Sequence, residues 1–438
     1  MTRAALLFLS GMTMALSRAE EPAASAVTPD WATQRQETFE TVWKTVDEAY
    51  FDATFGGVNW AAVGEKYRAQ LATVTDKAAL RGLLQSMIGE LRKTHFSILP
   101  REMSVFTPQE RSRVGTVGIG CTYVDGPMAV DAVEDGSPAC SAGIHPGDEI
   151  LAIDGVELAP LRERLEQAEI APARRGLYLE QFVDGRLRGS VGTTVTLVVR
   201  PPGGTERTVE LARGDHAGEW SEPMGDFPSM PISVQTARSP EGIGYVHFNV
   251  FARKAMKEIR ALLHSVPPDG GLVIDLRGNG GGLTVMAPGI AGWLTDREFS
   301  LGTMHLRQGH LDFTVSPQRN AFLGPVAVLI DSGSASTSEI MAAGLQEAGR
   351  ARIFGETSAG AALPSLFKAL PTSDLLQYAI ADVQTPRGIL IEGRGVIPDE
   401  GVTTSLADLA AGRDPVRTAA ERWINAARER RHTPPAVE

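Results

Sequence analysis

The residues most suggestive of chemistry are serines at the junction between a predicted strand and a predicted helix. The apolar run 327–330 leads through Asp331-Ser332-Gly333-Ser334-Ala335-Ser336 into a helical segment from Thr337 to Glu347. A serine hydroxyl there faces the positive end of the helix dipole, which suits a nucleophile that must develop negative charge. However, Ser336-Thr337-Ser338-Glu339 also fits a capping box, in which the serine has a structural role. Spacing alone leaves both roles open and does not choose among the serines of this segment.

A glycine-rich loop follows a second short apolar strand, predicted at 272–276. The run Arg277-Gly278-Asn279-Gly280-Gly281-Gly282 suits neither helix nor strand, and its glycines let backbone N–H groups approach a ligand closely. A plain flexible turn is the alternative. His95 lies where a predicted helix (78–91) gives way to a strand-like segment (96–99), a common place for functional residues. Position alone does not distinguish His95 from other histidines of the chain.

The elements that must position these residues alternate between apolar strands and helices after residue 240. This alternation indicates βαβ units and a sheet covered by helices on both faces. Towards the N-terminus, apolar residues at spacings of three and four predict helices at 36–50, 60–71 and 78–91. The predicted division is a leader at 1–19, a helical region at 20–110, a β-rich module at 111–215, a linker at 216–240, a sheet-and-helix core at 241–428 and a disordered tail at 429–438.

Composition excludes several classes of function. The 438 residues carry 42 Lys and Arg against 53 Asp and Glu, a net charge of −11 that argues against nucleic acid or an anionic membrane as partner. Two cysteines rule out a disulfide-stapled scaffold, and whether Cys121 and Cys140 pair is left open. The sequence has no zinc-type cysteine pair, His-Glu-x-x-His helix, P-loop or dinucleotide-binding glycine motif, so we expect no metal and no other cofactor.

The first residues have the pattern of a secretory signal peptide. A basic start at Arg3 precedes an apolar run from Ala4 to Leu16, and Ser17-Arg18-Ala19 offers small residues at a cleavage site. The run is too short to cross a bilayer, so we expect no membrane span in the mature chain. These features predict an exported protein, periplasmic or secreted.

The β-rich module resembles a PDZ domain of the type found in bacterial proteases. The resemblance is carried by Gly136-Ser137-Pro138-Ala139, Pro146-Gly147-Asp148 and the strand-and-turn segment 150–155. Gly118-Ile119-Gly120-Cys121 matches the loop whose amides receive a peptide's C-terminal carboxylate, while the next strand accepts the peptide by β-addition. The resemblance thus implies a peptide or protein partner recognised by its C-terminus.

Two longer motifs extend the resemblance to a family of enzymes. Asp275-Leu276-Arg277-Gly278-Asn279-Gly280-Gly281-Gly282 and Gly333-Ser334-Ala335-Ser336-Thr337-Ser338-Glu339-Ile340 resemble the C-terminal processing, or tail-specific, serine peptidases. The resemblance implies an α/β fold with a ClpP/crotonase-like catalytic core, an N-terminal helical region and an inserted PDZ-like domain. It also implies that Ser336 is the nucleophile.

The resemblance further implies a particular catalytic set. Many family members use a lysine as base, but Ala361 stands at that position here, and Lys368 matches no motif. The chain is similar instead to the branch of the tricorn core protease, with its Ser-His-Ser-Glu set. This similarity assigns His95 as general base, with Thr94 in place of the second serine, and Glu392 before Pro398-Asp399.

The backbone N–H of Thr337 and those of Gly280 or Gly281 are the expected oxyanion donors. The sequence thus predicts an exported serine endopeptidase that forms an acyl-enzyme on Ser336. Two alternatives remain: a non-catalytic peptide-binding or scaffold protein that retains the fold, and an esterase that uses the same site.

Overall fold

The computed structural model describes residues 30–432 apart from 102–103, 125, 169, 216–217 and 224–226. The predicted leader and the end of the predicted tail, from residue 433, lie outside the described residues. Among the residues that are described, no helix is long and apolar enough to cross a membrane.

The N-terminal region is helical, as predicted, and packs on a later part of the chain. Asp30 and Asp76 cap the first and third helices by accepting backbone N–H groups. The buried stripe of Phe39, Val46 and Leu84 shares one core with Leu376, and residues 97–99 pair antiparallel with 375–377. The elements are α1 (Trp31–Ala49), α2 (Trp60–Arg68), α3 (Lys77–Gly89), β1 (Ser97–Leu99) and α4 (Pro108–Arg111).

The PDZ-like module is built around an antiparallel sheet with a helix packed on one edge strand. Its elements are β2 (Val114–Thr116), β3 (Ile119–Tyr123), β4 (Met128–Val133), α5 (Pro138–Ser141), β5 (Glu149–Ile153), β6 (Val156–Glu157), α6 (Leu158–Gln167), α7 (Pro172–Leu187), β7 (Gly189–Ser190), β8 (Thr194–Arg200), β9 (Arg207–Ala212) and β10 (Gly214–Asp215). The strand order is β3-β4-β5-β8-β9, with β6 paired to β5, so β3 is an edge strand. Helix α7 lies against β3. Cys121 and Cys140 are free thiols, which answers the open question of their pairing.

The third region is the sheet-and-helix core. Its elements are β11 (Glu219–Trp220), β12 (Pro231–Ile232), β13 (Val234–Arg238), β14 (Ile243–Phe248), α8 (Arg253–Ser265), β15 (Gly271–Asp275), α9 (Met286–Gly292), β16 (Phe299–Leu306), β17 (His310–Val315), β18 (Val326–Ile330), α10 (Thr337–Glu347), β19 (Arg352–Gly355), β20 (Ser365–Ala369), β21 (Leu375–Ala379), β22 (Ala381–Gln384), β23 (Glu400–Gly401), α11 (Leu406–Ala410) and α12 (Pro415–His432).

The central sheet of this core has the order β13-β14-β15-β18-β19-β23, and its strands are parallel from β14 onwards. Alternate residues of the buried strands face opposite sides. Ile274 and Val328 pack with α8, α9 and α10, whereas Val273 and Leu329 pack with α12. The sheet is therefore covered on both faces, and the predicted α/β class is confirmed. The loops after β15 and β18 lie at the same edge of the sheet, because these neighbouring strands are parallel.

Two predicted boundaries are wrong. Residues 234–238, which we assigned to a linker, form the edge strand β13 and pair antiparallel with β14. Residues 429–432, which we assigned to a disordered tail, belong to α12. This last turn is held because Arg428 donates to the carbonyl oxygens of Asp269 and Glu241, and Arg431 donates to that of Leu323.

Candidate active site

The four serines between β18 and α10 have different hydrogen-bonding roles. Ser332 donates to Glu180 Oε1 (3.2 Å), Ser334 to the Leu276 carbonyl oxygen (2.7 Å) and Ser338 to the Asn279 carbonyl oxygen (2.8 Å). The Ser336 hydroxyl donates to no acceptor among the described residues. Sequence spacing did not choose among these four serines. The hydrogen bonds do, because Ser336 is the one among them whose hydroxyl does not donate a structural hydrogen bond.

The backbone at Ser336 is held in an unusual conformation. Ser336 is the N-cap of α10 with φ 57° and ψ −117°, a region that costs a non-glycine residue about 1–3 kcal/mol. Its N–H donates to the Ala361 carbonyl oxygen (2.8 Å) and to Glu339 Oε2 (3.1 Å). These two hydrogen bonds fix the turn that presents the serine side chain.

Glu339 is fully buried and ties this turn to the segment 358–361. Its carboxyl accepts from the Ser358 hydroxyl (2.6 Å) and from the N–H groups of Gly360 (2.7 Å) and Ala361 (2.9 Å). Burial raises the pKa of Glu339 to about 7 despite these donors. Glu339 thus holds the turn at Ser336 and the segment beside it together.

His95, Thr94 and Glu392 form a connected group on the other side of that segment. Thr94 donates its hydroxyl to Glu392 Oε2 (2.9 Å) and its N–H to Glu392 Oε1 (3.2 Å). His95 Nδ1 lies 2.9 Å from Thr94 Oγ1. The N–H of Ala362, which follows the partner of Ser336, also donates to Glu392 Oε2 (3.2 Å). The predicted residues of the catalytic set are therefore gathered around the segment 361–362.

This arrangement selects one tautomer of His95. An ionised carboxylate only accepts hydrogen bonds, so the single proton of the Thr94 hydroxyl is directed to Glu392. Thr94 Oγ1 can then only accept from His95, which places the ring proton on Nδ1. The lone pair is left on Nε2, the atom that a general base needs.

Arg174 of α7 supplies a positive charge to the same group. Its guanidinium donates to Glu392 Oε1 (3.2 Å) and to the carbonyl oxygen of Gly360. Burial, together with the charge of Arg174, lowers the pKa of His95 to about 4. The imidazole is therefore neutral at physiological pH, as a base must be.

The glycine loop lies directly against Ser336. A methyl group on Gly281 would lie 2.7 Å from Ser336 Cβ and 3.1 Å from the Thr337 nitrogen, and Gly281 has φ 103°, so this position requires glycine. The Gly281 N–H donates to Asn279 Oδ1 (2.9 Å), whereas Gly280 is exposed and open on its Cα side. Asn279 also binds the Phe248 carbonyl oxygen through Nδ2 (2.6 Å), which fixes the loop.

Other residues lie apart from this arrangement. Lys368, on β20, donates to Thr45 Oγ1 of α1 (3.0 Å), so its ammonium is directed to the helical region. No hydrogen bond joins Ser336 to His95 among the residues that the structure describes. Such bonds often form only in the complex with substrate.

The loop Gly118-Ile119-Gly120-Cys121 leads into the edge strand β3 of the PDZ-like module. Gly118 has φ 77°, and its N–H donates to Thr116 Oγ1 (3.2 Å). Its carbonyl oxygen accepts from the Glu134 N–H (2.9 Å). The loop therefore has a defined conformation at the edge that a peptide strand would use.

Comparisons with known proteins agree with this fold. Residues 242–402 match Peptidase family S41, residues 32–89 the Tricorn protease C1 domain and residues 130–169 a PDZ domain. A Carboxyl-terminal-processing protease of Picosynechococcus sp. is 30% identical over 382 residues, covering 84% of each chain. One of Synechocystis sp. is 29% identical over 385 residues, covering 86% of this chain and 83% of the relative.

Solved structures of other proteins have a similar fold. The photosystem II D1 C-terminal processing protease superposes with a TM-score of 0.56 at 26% identity, covering 84% of this chain and 93% of that one. Mature CPAF shares the fold, with a TM-score of 0.65 at 14% identity over 92% of this chain and 99% of that one. Fold and matches define a serine peptidase with a PDZ domain. The chain belongs to the carboxyl-terminal-processing protease family, Peptidase family S41.

Sequence reasoning missed three residues of the site. Arg174 lies in α7, and no motif marks it. Asn279 and Glu339 lie within the two longer motifs, but the motifs give them no role. Their importance lies in contacts to Phe248 and to 358–361, which local spacing does not reveal.

Proposed function

We propose that this serine peptidase cleaves internal peptide bonds with Ser336 as nucleophile and His95 as general base. Thr94 and Glu392 orient the base. The observation that carries the proposal is the chain of contacts from His95 through Thr94 and Glu392 to Ala362, next to the Ala361 carbonyl that binds Ser336. Backbone strain at both residues agrees with it, since His95 (φ 59°) and Ser336 (φ 57°) both have positive φ.

In the first half-reaction, Ser336 Oγ attacks the scissile carbonyl carbon while His95 Nε2 takes the hydroxyl proton. The C–N bond then breaks, and the imidazolium returns the proton to the leaving amine. Water repeats the sequence on the acyl-enzyme, which releases the new carboxyl end and restores Ser336. Glu392 and Thr94 favour the imidazolium that forms between these steps.

The oxyanion of the tetrahedral intermediate needs backbone donors close to Ser336. We assign them to the N–H groups of Thr337 and Gly280, because Gly281 already donates its N–H to Asn279. Each such donor contributes about 3–4 kcal/mol to transition-state stabilisation. Gly281 serves instead by allowing the loop to approach Ser336.

Histidine rather than lysine is the base in this proposal. Ala361 occupies the position of the lysine of related enzymes, and Lys368 is engaged with Thr45 of α1. The neutral state of His95, which burial and Arg174 favour, makes it competent at neutral pH.

The substrate in this proposal is a polypeptide that is processed at its carboxyl end, and the name of the relatives, carboxyl-terminal-processing protease, supports this part of the proposal. The loop 118–121 and the edge strand β3 would receive the C-terminal segment of such a chain. The leader-like segment 1–19 supports export to the periplasm or beyond the cell.

The test is peptide cleavage by purified protein and matched variants. His95→Ala should reduce kcat by at least about a hundredfold, as expected for loss of a general base. Lys368→Ala and the surface control His310→Ala should retain activity. Loss of activity in Lys368→Ala alone would refute the assignment of His95. Hydrolysis of esters without peptide cleavage would favour the esterase alternative, and peptide binding without either reaction would favour the scaffold.

A further inference from the structure

Glu180 of α7 contacts both the edge strand of the PDZ domain and the loop that leads to Ser336. Its Oε1 accepts from the backbone N–H of Tyr123 in β3 (2.9 Å) and from the Ser332 hydroxyl (3.2 Å). The Thr122 hydroxyl lies 3.5 Å from the same oxygen. A single carboxyl oxygen therefore joins the two regions.

The contact at Tyr123 uses a donor that peptide binding would need. Strand β3 has a neighbour on one side only, β4, and the Tyr123 N–H is directed to α7 instead. A peptide that extends the sheet pairs with the N–H groups on the open side of the edge strand. Such a peptide, when paired as far as Tyr123, takes this donor from Glu180.

The contact at Ser332 reaches the nucleophile loop. Asp331 Oδ1 accepts from the Gly333 N–H (3.0 Å) in this loop and from the Gly278 N–H (2.9 Å) in the glycine loop. The loop after β18 and the loop after β15, which holds the proposed oxyanion donor, are therefore bonded to each other beside Glu180.

Helix α7 and the loop after β18 pack closely in this region. A methyl group on Gly176 of α7 would lie 2.8 Å from the Ser332 hydroxyl, and one on Gly333 would lie 2.9 Å from both Glu180 Oε2 and Gly278 Cα. Leu177 of α7 also packs against Ala335, which precedes the nucleophile. A shift of Glu180 must therefore be accompanied by a shift of the loop.

The protonation state of Glu180 indicates which substitution preserves its contacts. Burial and the nearby carboxylates of Asp331 and Asp131 raise the pKa of Glu180 to about 8. The side chain is then a neutral carboxyl at pH 7, so glutamine is a close isostere that still accepts the hydrogen bonds of Tyr123 and Ser332.

We propose that Glu180 is a positioning residue that couples the peptide-accepting strand β3 to the nucleophile loop. It holds Ser332, and through the loop Ser336, in the geometry needed for acylation. This inference rests on the proposed role of Ser336.

The experiment measures the rate at which a fluorophosphonate labels Ser336, together with amide hydrogen exchange, in the full-length protein. Glu180→Ala should slow labelling at least about tenfold, whereas Glu180→Gln should stay within about threefold of wild type, since it keeps the acceptor. Asp184→Ala, one turn further along α7, removes only a surface pair with Arg188 and should have no effect.

Exchange should increase in Glu180→Ala both at residues 119–123 and at 331–336, and in Ser332→Ala at 331–336 alone. A folded Glu180→Ala protein that labels at the wild-type rate overturns the inference. If Glu180→Ala does not fold, unchanged labelling in Ser332→Ala overturns it. If the wild-type protein itself is not labelled, the proposed function is wrong. Amide hydrogen exchange in Glu180→Ala then still tests whether Glu180 couples residues 119–123 to residues 331–336.

Discussion

Replacing Arg174 by methionine should move the acid limb of the pH profile upwards. Burial and the charge of Arg174 hold the pKa of His95 at about 4 rather than 6.5. A general base works in its neutral form, and kcat/KM reports the pKa of the free enzyme. We therefore expect kcat/KM of the wild type to fall to half near pH 4.

The expected size of the change follows from the two causes. Burial, the larger one, persists in Arg174→Met, so the pKa of His95 should rise less than half of the way back to 6.5, to about 5. At pH 5, a base with a pKa of about 4 is roughly 90% neutral, whereas one with a pKa of about 5 is roughly 50% neutral. The ratio of kcat/KM at pH 5 to that at pH 7.5 should thus fall about twofold.

Loss of the hydrogen bonds to Glu392 and Gly360 adds a separate effect. A hydrogen bond to a charged group contributes about 1.5–3 kcal/mol, so Arg174→Met should also be slower at every pH and less stable. The loss of these hydrogen bonds lowers kcat/KM by the same factor at every pH and does not move the acid limb of the pH profile. The position of the limb therefore tests the electrostatic effect on His95 specifically.

The assay is kcat/KM on a fluorogenic peptide between about pH 3.5 and about pH 8. Far-ultraviolet circular dichroism should be recorded at each pH to show that the protein remains folded. Because the pKa of His95 is lower in the folded protein, the protein loses stability as pH falls from 6.5 towards 4. Arg175→Met, on the same helix and bonded to Ile170, should leave the limb in place. A wild-type limb near 6.5, or the same limb in Arg174→Met, would refute the reasoning.

Substitutions at Thr94 and Gly281 test other parts of the site. Thr94→Ser keeps the hydroxyl and should retain most activity, whereas Thr94→Val leaves Glu392 and His95 Nδ1 without it and should lower kcat about tenfold or more, as steady-state kinetics will show. Gly281→Ala introduces a contact of 2.7 Å with Ser336 Cβ at φ 103° and should abolish activity and lower the melting temperature. Gly82→Ala, in α3, whose methyl group would also meet no atom within 4 Å, is the control for a glycine-to-alanine change; equal damage in both would contradict the account.

Local patterns in the sequence predicted much of the core but not its edges. Helix α10 begins at Thr337 and ends at Glu347, as predicted, because the apolar strand before it and the capping residues define its start. Strand β13 was missed because most of its residues are exposed polar side chains without an alternating apolar pattern. An edge strand needs only its backbone to pair.

The candidate site likewise contains residues that local patterns predicted and residues that they did not. The spacing around Ser336 and the glycine loop marked them as functional, since both lie at ends of predicted strands. Thr94 and Glu392 are 298 residues apart, and Arg174 is 218 residues from Glu392. Nothing in local spacing connects them, so the first pair came from resemblance to a family and Arg174 from the structure.

Labelling of Ser336 tests the central claim most directly. Wild-type protein treated with a fluorophosphonate should carry one covalent adduct, which tandem mass spectrometry should assign to Ser336. Ser336→Ala should carry none and keep the wild-type circular dichroism spectrum, and His95→Ala should label much more slowly. An adduct on Ser332, Ser334 or Ser338, or undiminished labelling of Ser336→Ala, would contradict the account.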